Sequence, residues 1–278
     1  MGFIVAIVSD MHVNSTVGLS VPTLELDDGG DYRASPTQRN LWTCWNVFWD
    51  EVERLKTETG YGLLVVFNGD VGELDVKSRT HQLVSRNKST ALRHARTVIE
   101  RPVGLADWSL FIRGTASHVG KSSWFEEELA ADTTNAVRNG ESASWYAWRG
   151  HIGGVLMDFK HFVRLGAKPW TRTNPLGELS NNLEMDAYRK RQPVPTLAIR
   201  SHRHFYADTA NNHPVRVIVT PCWQAIPEYI SAVDGIEPPD IGGLVVTIDE
   251  GRWTAIPRRF PMKPPKIQTL PDLMKPTG

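Results

Sequence analysis

Two uninterrupted apolar runs open the pattern, Phe3-Ile4-Val5-Ala6-Ile7-Val8 and Leu63-Leu64-Val65-Val66-Phe67. Each has the length of a strand, and the lack of polar alternation suits strands buried on both faces. Between them, Ser35-Pro36-Thr37-Gln38 supplies an N-cap serine, a proline at the first helical position and a capping-box glutamine. Leu41, Trp42, Trp45, Phe48, Trp49, Val52 and Leu55 then recur at the spacing of one buried helix face. Strand, helix, strand predicts a parallel crossover unit. The pattern repeats with a helical stretch over 89–100 and a strand over 108–113. Beyond about residue 143 the elements shorten, with strands expected near 144–149, 152–158, 195–199, 215–220, 243–249 and 252–256 and one helix at roughly 179–191. A more parallel half followed by a more antiparallel half is an α/β layered domain. Residues 13–34, with Gly18, Pro22 and an acidic Asp27-Asp28-Gly29-Gly30-Asp31, are expected to form a long loop. A single domain over 1–260 is expected, followed by a proline-rich extended tail over 261–278.

Composition narrows the function classes. The 278 residues carry 31 Lys and Arg against 31 Asp and Glu, so net charge is zero with nine neutral His. That balance argues against a protein that coats DNA or a membrane surface through bulk positive charge. The two cysteines, Cys44 and Cys222, make neither a disulfide framework nor a paired zinc motif. The apolar start is too short for a signal h-region and has no basic flank. A cytoplasmic protein without a membrane span is therefore the expectation.

The residues suited to chemistry sit just past the strand ends. The first run ends at Asp10-Met11-His12, the second at Asn68-Gly69-Asp70, and the strand at 108–113 at Gly114-Thr115-Ala116-Ser117-His118. His161 comes after the strand near 152–158, and Ser201-His202-Arg203-His204 after that near 195–199. Carboxyl ends of strands in open α/β sheets converge on one crevice. Imidazole and carboxylate are ligands for divalent metals such as zinc, manganese and iron. An extended backbone would place both members of Asp10-x-His12, and of His202-x-His204, on one face.

This order of segments resembles the calcineurin-like metallophosphoesterases, whose pattern runs Asp-x-His, Gly-Asp, Gly-Asn-His, a lone His and Gly-His-x-His. The resemblance spans about residues 3–260 and implies a four-layer α/β/β/α sandwich of two mixed sheets flanked by helices. It further implies two divalent ions, drawn from Mn, Zn, Fe or Ni with Mn favoured for activity. By position, Asp10, His12 and His204 would hold the first ion, Asp70 would bridge, and His161 and His202 would hold the second. Two departures stand out: Ser201 occupies a usual glycine position, and the asparagine ligand of Gly-Asn-His is missing. His118 is then either the catalytic acid that protonates the leaving oxygen or a replacement ligand.

The expectation is a phosphoesterase acting by direct attack of metal-bound hydroxide on a phosphate ester, with phosphodiesterase or nuclease action preferred and nucleic acid or nucleotide among the substrates considered. Phosphomonoesterase activity and a metal-free scaffold of the same fold are the alternatives. A zinc hydrolase of the metallo-β-lactamase type lacks its clustered His-x-His-x-Asp-His run here. His81, His94, His151 and His213 fit no motif and are expected to be structural.

Overall fold

The computed structural model describes residues 2–76, 82–166, 168–227 and 238–262. In chain order, β1 (Phe3–Val8) is followed by a hairpin of β2 (Thr23–Glu25) and β3 (Asp31–Arg33), then α1 (Pro36–Thr59), β4 (Gly62–Asn68), α2 (Lys88–Leu105) and β5 (Trp108–Ile112). Next come the short α3 (Ala116–Val119), α4 (Trp124–Ala131), β6 (Trp148–Ile152), β7 (Val155–Phe159) and α5 (Asn174–Lys190). The chain continues with β8 (Leu197–Arg200), β9 (Ala207–Asp208), β10 (Arg216–Val219), β11 (Ile241–Asp249) and β12 (Arg252–Phe260). One sheet runs β12-β11-β1-β4-β5 and the other β6-β7-β8-β10-β9. Both are mixed: β1, β4 and β5 are parallel, as are β7, β8 and β10, while the flanking strands pair antiparallel.

Alternation within the buried strands assigns each sheet its two faces. Val5, Ile7, Leu64, Val66, Leu110 and Ile112 face Met157, Phe159, Leu197, Ile199 and Ile218 across the space between the sheets. Ile4, Ala6, Val8, Leu63, Val65 and Phe67 pack on the opposite side against Trp45, Phe48, Trp49 and Val98 of α1 and α2. On the far side of the second sheet, Ala198, Val217 and Val219 pack with Leu176 of α5. The result is four layers, helix, sheet, sheet, helix. Helix α1 begins as its sequence predicts: Ser35 accepts from the Gln38 backbone and the Gln38 side chain returns to Ser35 N.

Several expected boundaries move. The 13–34 loop contains the β2–β3 hairpin. Only Trp148 onward of the strand expected at 144–149 enters the sheet, although Trp145 forms an isolated bridge to Ile112. The helix expected at 179 starts at Asn174, where Pro175 sits in the first turn without needing an N–H donor. Strand β12 runs on through Pro257 to Phe260, a position tolerated because β12 is the sheet edge. The remainder of the expected tail, 263–278, lies outside the described residues, as does His81.

Candidate metal centre

The carboxyl ends of β1, β4, β5, β7 and β8 bring Asp10, His12, Asp70, His118, His161, His202 and His204 together. Ligand atoms of Asp10, Asp70, His161 and His202 lie within 4.8 Å of one another, as do those of Asp10, His12 and His204. Asp10, rather than Asp70, is the carboxylate common to both groups. Its Oδ1 stands 3.4 Å from His204 Nε2 and 3.9 Å from His161 Nε2. Asp70 Oδ2 is 2.9 Å from His161 Nε2 and 3.8 Å from His202 Nδ1.

The extended backbone expected for Asp10-x-His12 and His202-x-His204 does not occur. Asp10, His12, Asp70, His202 and His204 all have left-handed φ, at 49°, 43°, 51°, 76° and 57°. Convergence therefore comes from tight turns beyond the strands. Such conformations cost about 1–3 kcal/mol each and persist only where surrounding structure holds them. Here Asp10 N donates to Gly69 O and His12 N to Asp70 O, both at 3.0 Å, and His202 N donates to Asp10 Oδ2 at 3.1 Å. Two glycines permit the closeness. A Cβ on Gly69, whose φ is 89°, would lie 2.4 Å from His161 Nδ1, and one on Gly114 would lie 2.3 Å from Asp70 N.

Hydrogen bonds on the outer ring nitrogens aim the inner ones. His161 Nδ1 donates to Asn68 O at 2.7 Å, turning Nε2 to Asp70. His12 Nδ1 lies 2.7 Å from Glu73 Oε2, which leaves Nε2 as the inward atom. Asp10 Oδ1 and His12 Nε2 are buried and have no hydrogen-bond partner. Buried polar atoms are rarely left so, and a divalent cation is a partner that suits both. Burial alone would raise the carboxyls, yet the charge of His161 holds Asp70 well below the usual range and, with His204, brings Asp10 down to about 2. Burial would lower His161, but Asp70 and Asp10 lift it to about 9. These groups hold protons between carboxylate and imidazole where a cation would replace them.

His118 falls outside the Asp70 group. Its ring meets that of His12 edge-on at 4.7 Å, and its Nδ1 is 3.0 Å from both Glu73 oxygens. Thr115 stands nearer the missing asparagine's group, with its N donating to Asp70 Oδ1 at 2.6 Å and its Oγ1 3.2 Å from His202 Nδ1. Glu73 escaped the sequence reading. It lies three residues beyond Asp70, and the parallel bridge between Val13 and Gly72 carries it to His12. Burial would raise its carboxyl, while His118 and His12 bring it down to about 2. Beneath Asp70, the fully buried Glu126 accepts from Val71 N at 3.3 Å, and burial together with the Asp70 charge pushes it up to about 8. His94, 0% exposed, bonds Ser20 away from the site, in keeping with a structural role.

No protein-family model and no curated protein matches the chain. Among solved structures, it is similar to a dimetal phosphatase from Danio rerio, at 10% identity and TM-score 0.46, covering 91% of this chain and 95% of that one. It is also similar to Vps29 from Entamoeba histolytica complexed with zinc, at 12% identity and TM-score 0.43, covering 91% and 89%. A predicted phosphoesterase from Streptococcus pneumoniae matches at 8% identity and TM-score 0.36, covering 92% and 88%. Among the described residues, no helix is long and apolar enough to cross a membrane.

Proposed function

We propose that this protein is a metal-dependent phosphoesterase, with phosphodiesters preferred as substrates. The observation that supports it is the pair of buried, unpartnered atoms Asp10 Oδ1 and His12 Nε2, set among further carboxylate and imidazole ligands. Asp10, His12 and His204 would hold one divalent ion, and Asp70, His161 and His202 a second, with Asp10 the carboxylate near both sets. When bound, such a pair supplies Lewis acidity toward phosphoryl oxygens and lowers the pKa of water.

The chain's own residues supply the rest. Glu73 fixes His12 with Nε2 inward and holds His118 with Nδ1 as the donor. His118 is 27% exposed at its side chain, and with Nδ1 turned to Glu73 its Nε2 is the ring nitrogen left free for a substrate. It is the group that gives a proton to the departing oxygen. Thr115 steadies Asp70 through its backbone N–H, and Asn68 fixes the His161 ring. A scaffold without metal would have no use for the left-handed, unpartnered ligand geometry of Asp10 and His12.

Purified protein is expected to contain stoichiometric divalent metal and to hydrolyse a bis-nitrophenyl phosphodiester in Mn²⁺. Asp70→Asn and His202→Ala should each abolish this hydrolysis and lower the metal content. Survival of both metal and activity in Asp70→Asn would refute the assignment. Absence of metal and activity from the wild-type protein would leave the scaffold alternative.

A further inference from the structure

The segment that leaves the metal centre at His161 has an unusual composition. Residues 160–173 contain Lys160, Arg164, Lys168 and Arg172 and no carboxylate, in a chain whose charges balance overall. Burial alternates along its start: Lys160, Phe162 and Arg164 are exposed, whereas His161 and Val163 are buried. Val163 belongs to the core under α5 and Leu165 packs against it, so the inward residues fix which side chains face out.

Hydrogen bonds lay this segment beside the other ligand turn. Lys160 N donates to Ile199 O at 3.2 Å, and Ser201 N to His161 O at 2.8 Å. The Phe162 ring, 52% exposed, then stands 4.9 Å from that of His202. Gly166 N donates to Arg172 O at 3.3 Å, closing a loop that presents Lys168 and Trp170. Trp170 is 76% exposed with the Lys168 ammonium 5.4 Å above its ring, and the Arg172 guanidinium lies 4.5 Å over Phe205.

The cations differ from the arginines on the strands of the two sheets. Arg149 and Arg200 pair with Asp158, Arg216 with Asp208 and Arg259 with Asp240. Lys160, Arg164, Lys168 and Arg203 have no carboxylate partner among the described residues. Single exposed aromatics are ordinary on a protein surface. Exposed aromatics interleaved with unpaired cations, running from a metal ligand, form the combination that binds unpaired bases by stacking and their phosphates by charge. A duplex keeps its base faces stacked inside and cannot use the rings.

Resting on the phosphoesterase reading of the centre, we propose that residues 160–166 and 168–172, with Arg203 and Phe205, form a lane for single-stranded nucleic acid. Phe162 stacks on a base next to the phosphate held at the ions. The substrate class is thus a single-stranded polynucleotide rather than a small phosphate ester.

The test is fluorescence anisotropy with a labelled oligo-dT of about 12 nucleotides, with metal chelated so that binding is read without turnover. Four unpaired cations on a single strand give a slope of log K against log salt of about −3. Arg164→Glu with Lys168→Glu should weaken binding more than tenfold and flatten that slope by about 1.4. Trp170→Ala should cost roughly five- to a hundredfold through lost stacking. Arg189→Glu with Lys190→Glu, the same charge change at the end of α5, should leave oligonucleotide binding as it was. Circular dichroism confirms that each variant is folded. Equal loss in both charge-reversed proteins, no loss in the first, or duplex bound as tightly as single strand overturns the lane. If the wild-type protein hydrolyses the nitrophenyl diester but binds no oligonucleotide, the lane is wrong and the phosphoesterase stands. If it binds through these residues yet holds no metal and hydrolyses nothing, the lane stands and the phosphoesterase falls.

Discussion

Replacing Glu73 by glutamine changes almost nothing in shape and should disable the centre. The carboxylate receives two imidazole N–H groups, from His12 Nδ1 at 2.7 Å and from His118 Nδ1 at 3.0 Å, with its side chain only 10% exposed. A carboxylate has no hydrogens and accepts both. An amide has one accepting oxygen and one NH₂, so in Glu73→Gln one of the two rings must face a donor with a donor. That ring escapes only by moving its proton from Nδ1 to Nε2. If the ring is His12, the proton lands on the inward atom and blocks it as a ligand. If it is His118, Nδ1 takes the amide hydrogen in place of the carboxylate's negative charge, and the ring loses the group that supports its protonated form. Hydrogen bonds to a charged group contribute about 1.5–3 kcal/mol each. Loss of such an outer partner of a metal-binding histidine generally weakens affinity ten- to a hundredfold, about 1.4–2.7 kcal/mol. The two figures agree. Titration calorimetry of Mn²⁺ into chelated protein should show that weakening in Glu73→Gln, and hydrolysis at saturating Mn²⁺ should fall further for a diester with an alkyl leaving group than for a nitrophenyl diester. Glu73→Asp keeps two acceptors one methylene further back and should lose less. A Glu73→Gln protein with wild-type Mn²⁺ affinity and wild-type rates on both diesters would show that Glu73 does not set these tautomers.

Packing and burial lead to two more expected outcomes. Gly114→Ala would set a Cβ 2.3 Å from both the backbone N and Oδ1 of Asp70, and a backbone atom cannot swing aside, so metal analysis of the folded variant should show fewer bound ions than the wild type; an unchanged metal content would mean the loop yields freely. Burial lowers His94 to about 4 from an ordinary 6.5, so between those pH values the unfolded chain binds a proton that the native state refuses. Stability from this group is complete above about pH 6.5 and is lost as pH falls toward 4, by up to about 3 kcal/mol. In His94→Phe, where Ser20 keeps its bond to Val21 O, the denaturation midpoint should fall less between neutral and acid pH than in the wild type; parallel curves would contradict it.

Much of the architecture was legible because burial on both faces leaves an unmistakable mark: the runs at 3–8 and 63–67 are β1 and β4 at the centre of one sheet, paired in parallel. The weaker errors lie where pairing is decided by distant residues, as at Trp145, whose bonds go to Phe111 and Arg113 rather than into the second sheet. The candidate residues were legible as residue types placed after strands, and the structure brings all seven into adjoining clusters. What the sequence could not display is how they converge. A two-residue spacing looks like strand alternation, but the observed turns are left-handed, a conformation to which Asp and His are more prone than most residues and which no periodicity records. Their conformation is set from a distance: Asp10 is held by Gly69, His12 by Asp70, and His202 by the Asp10 carboxylate, 192 positions away. Glu73 was hidden for the same reason. Its relevance depends on the bond from its own N–H to Val13 O at 2.8 Å, a contact made only once β1 and β4 lie side by side. The ligand turns and the sheet beneath them are therefore one cooperative unit. A substitution that slips the β1–β4 register by one residue would exchange their inward and outward faces and dissolve the centre at the same time.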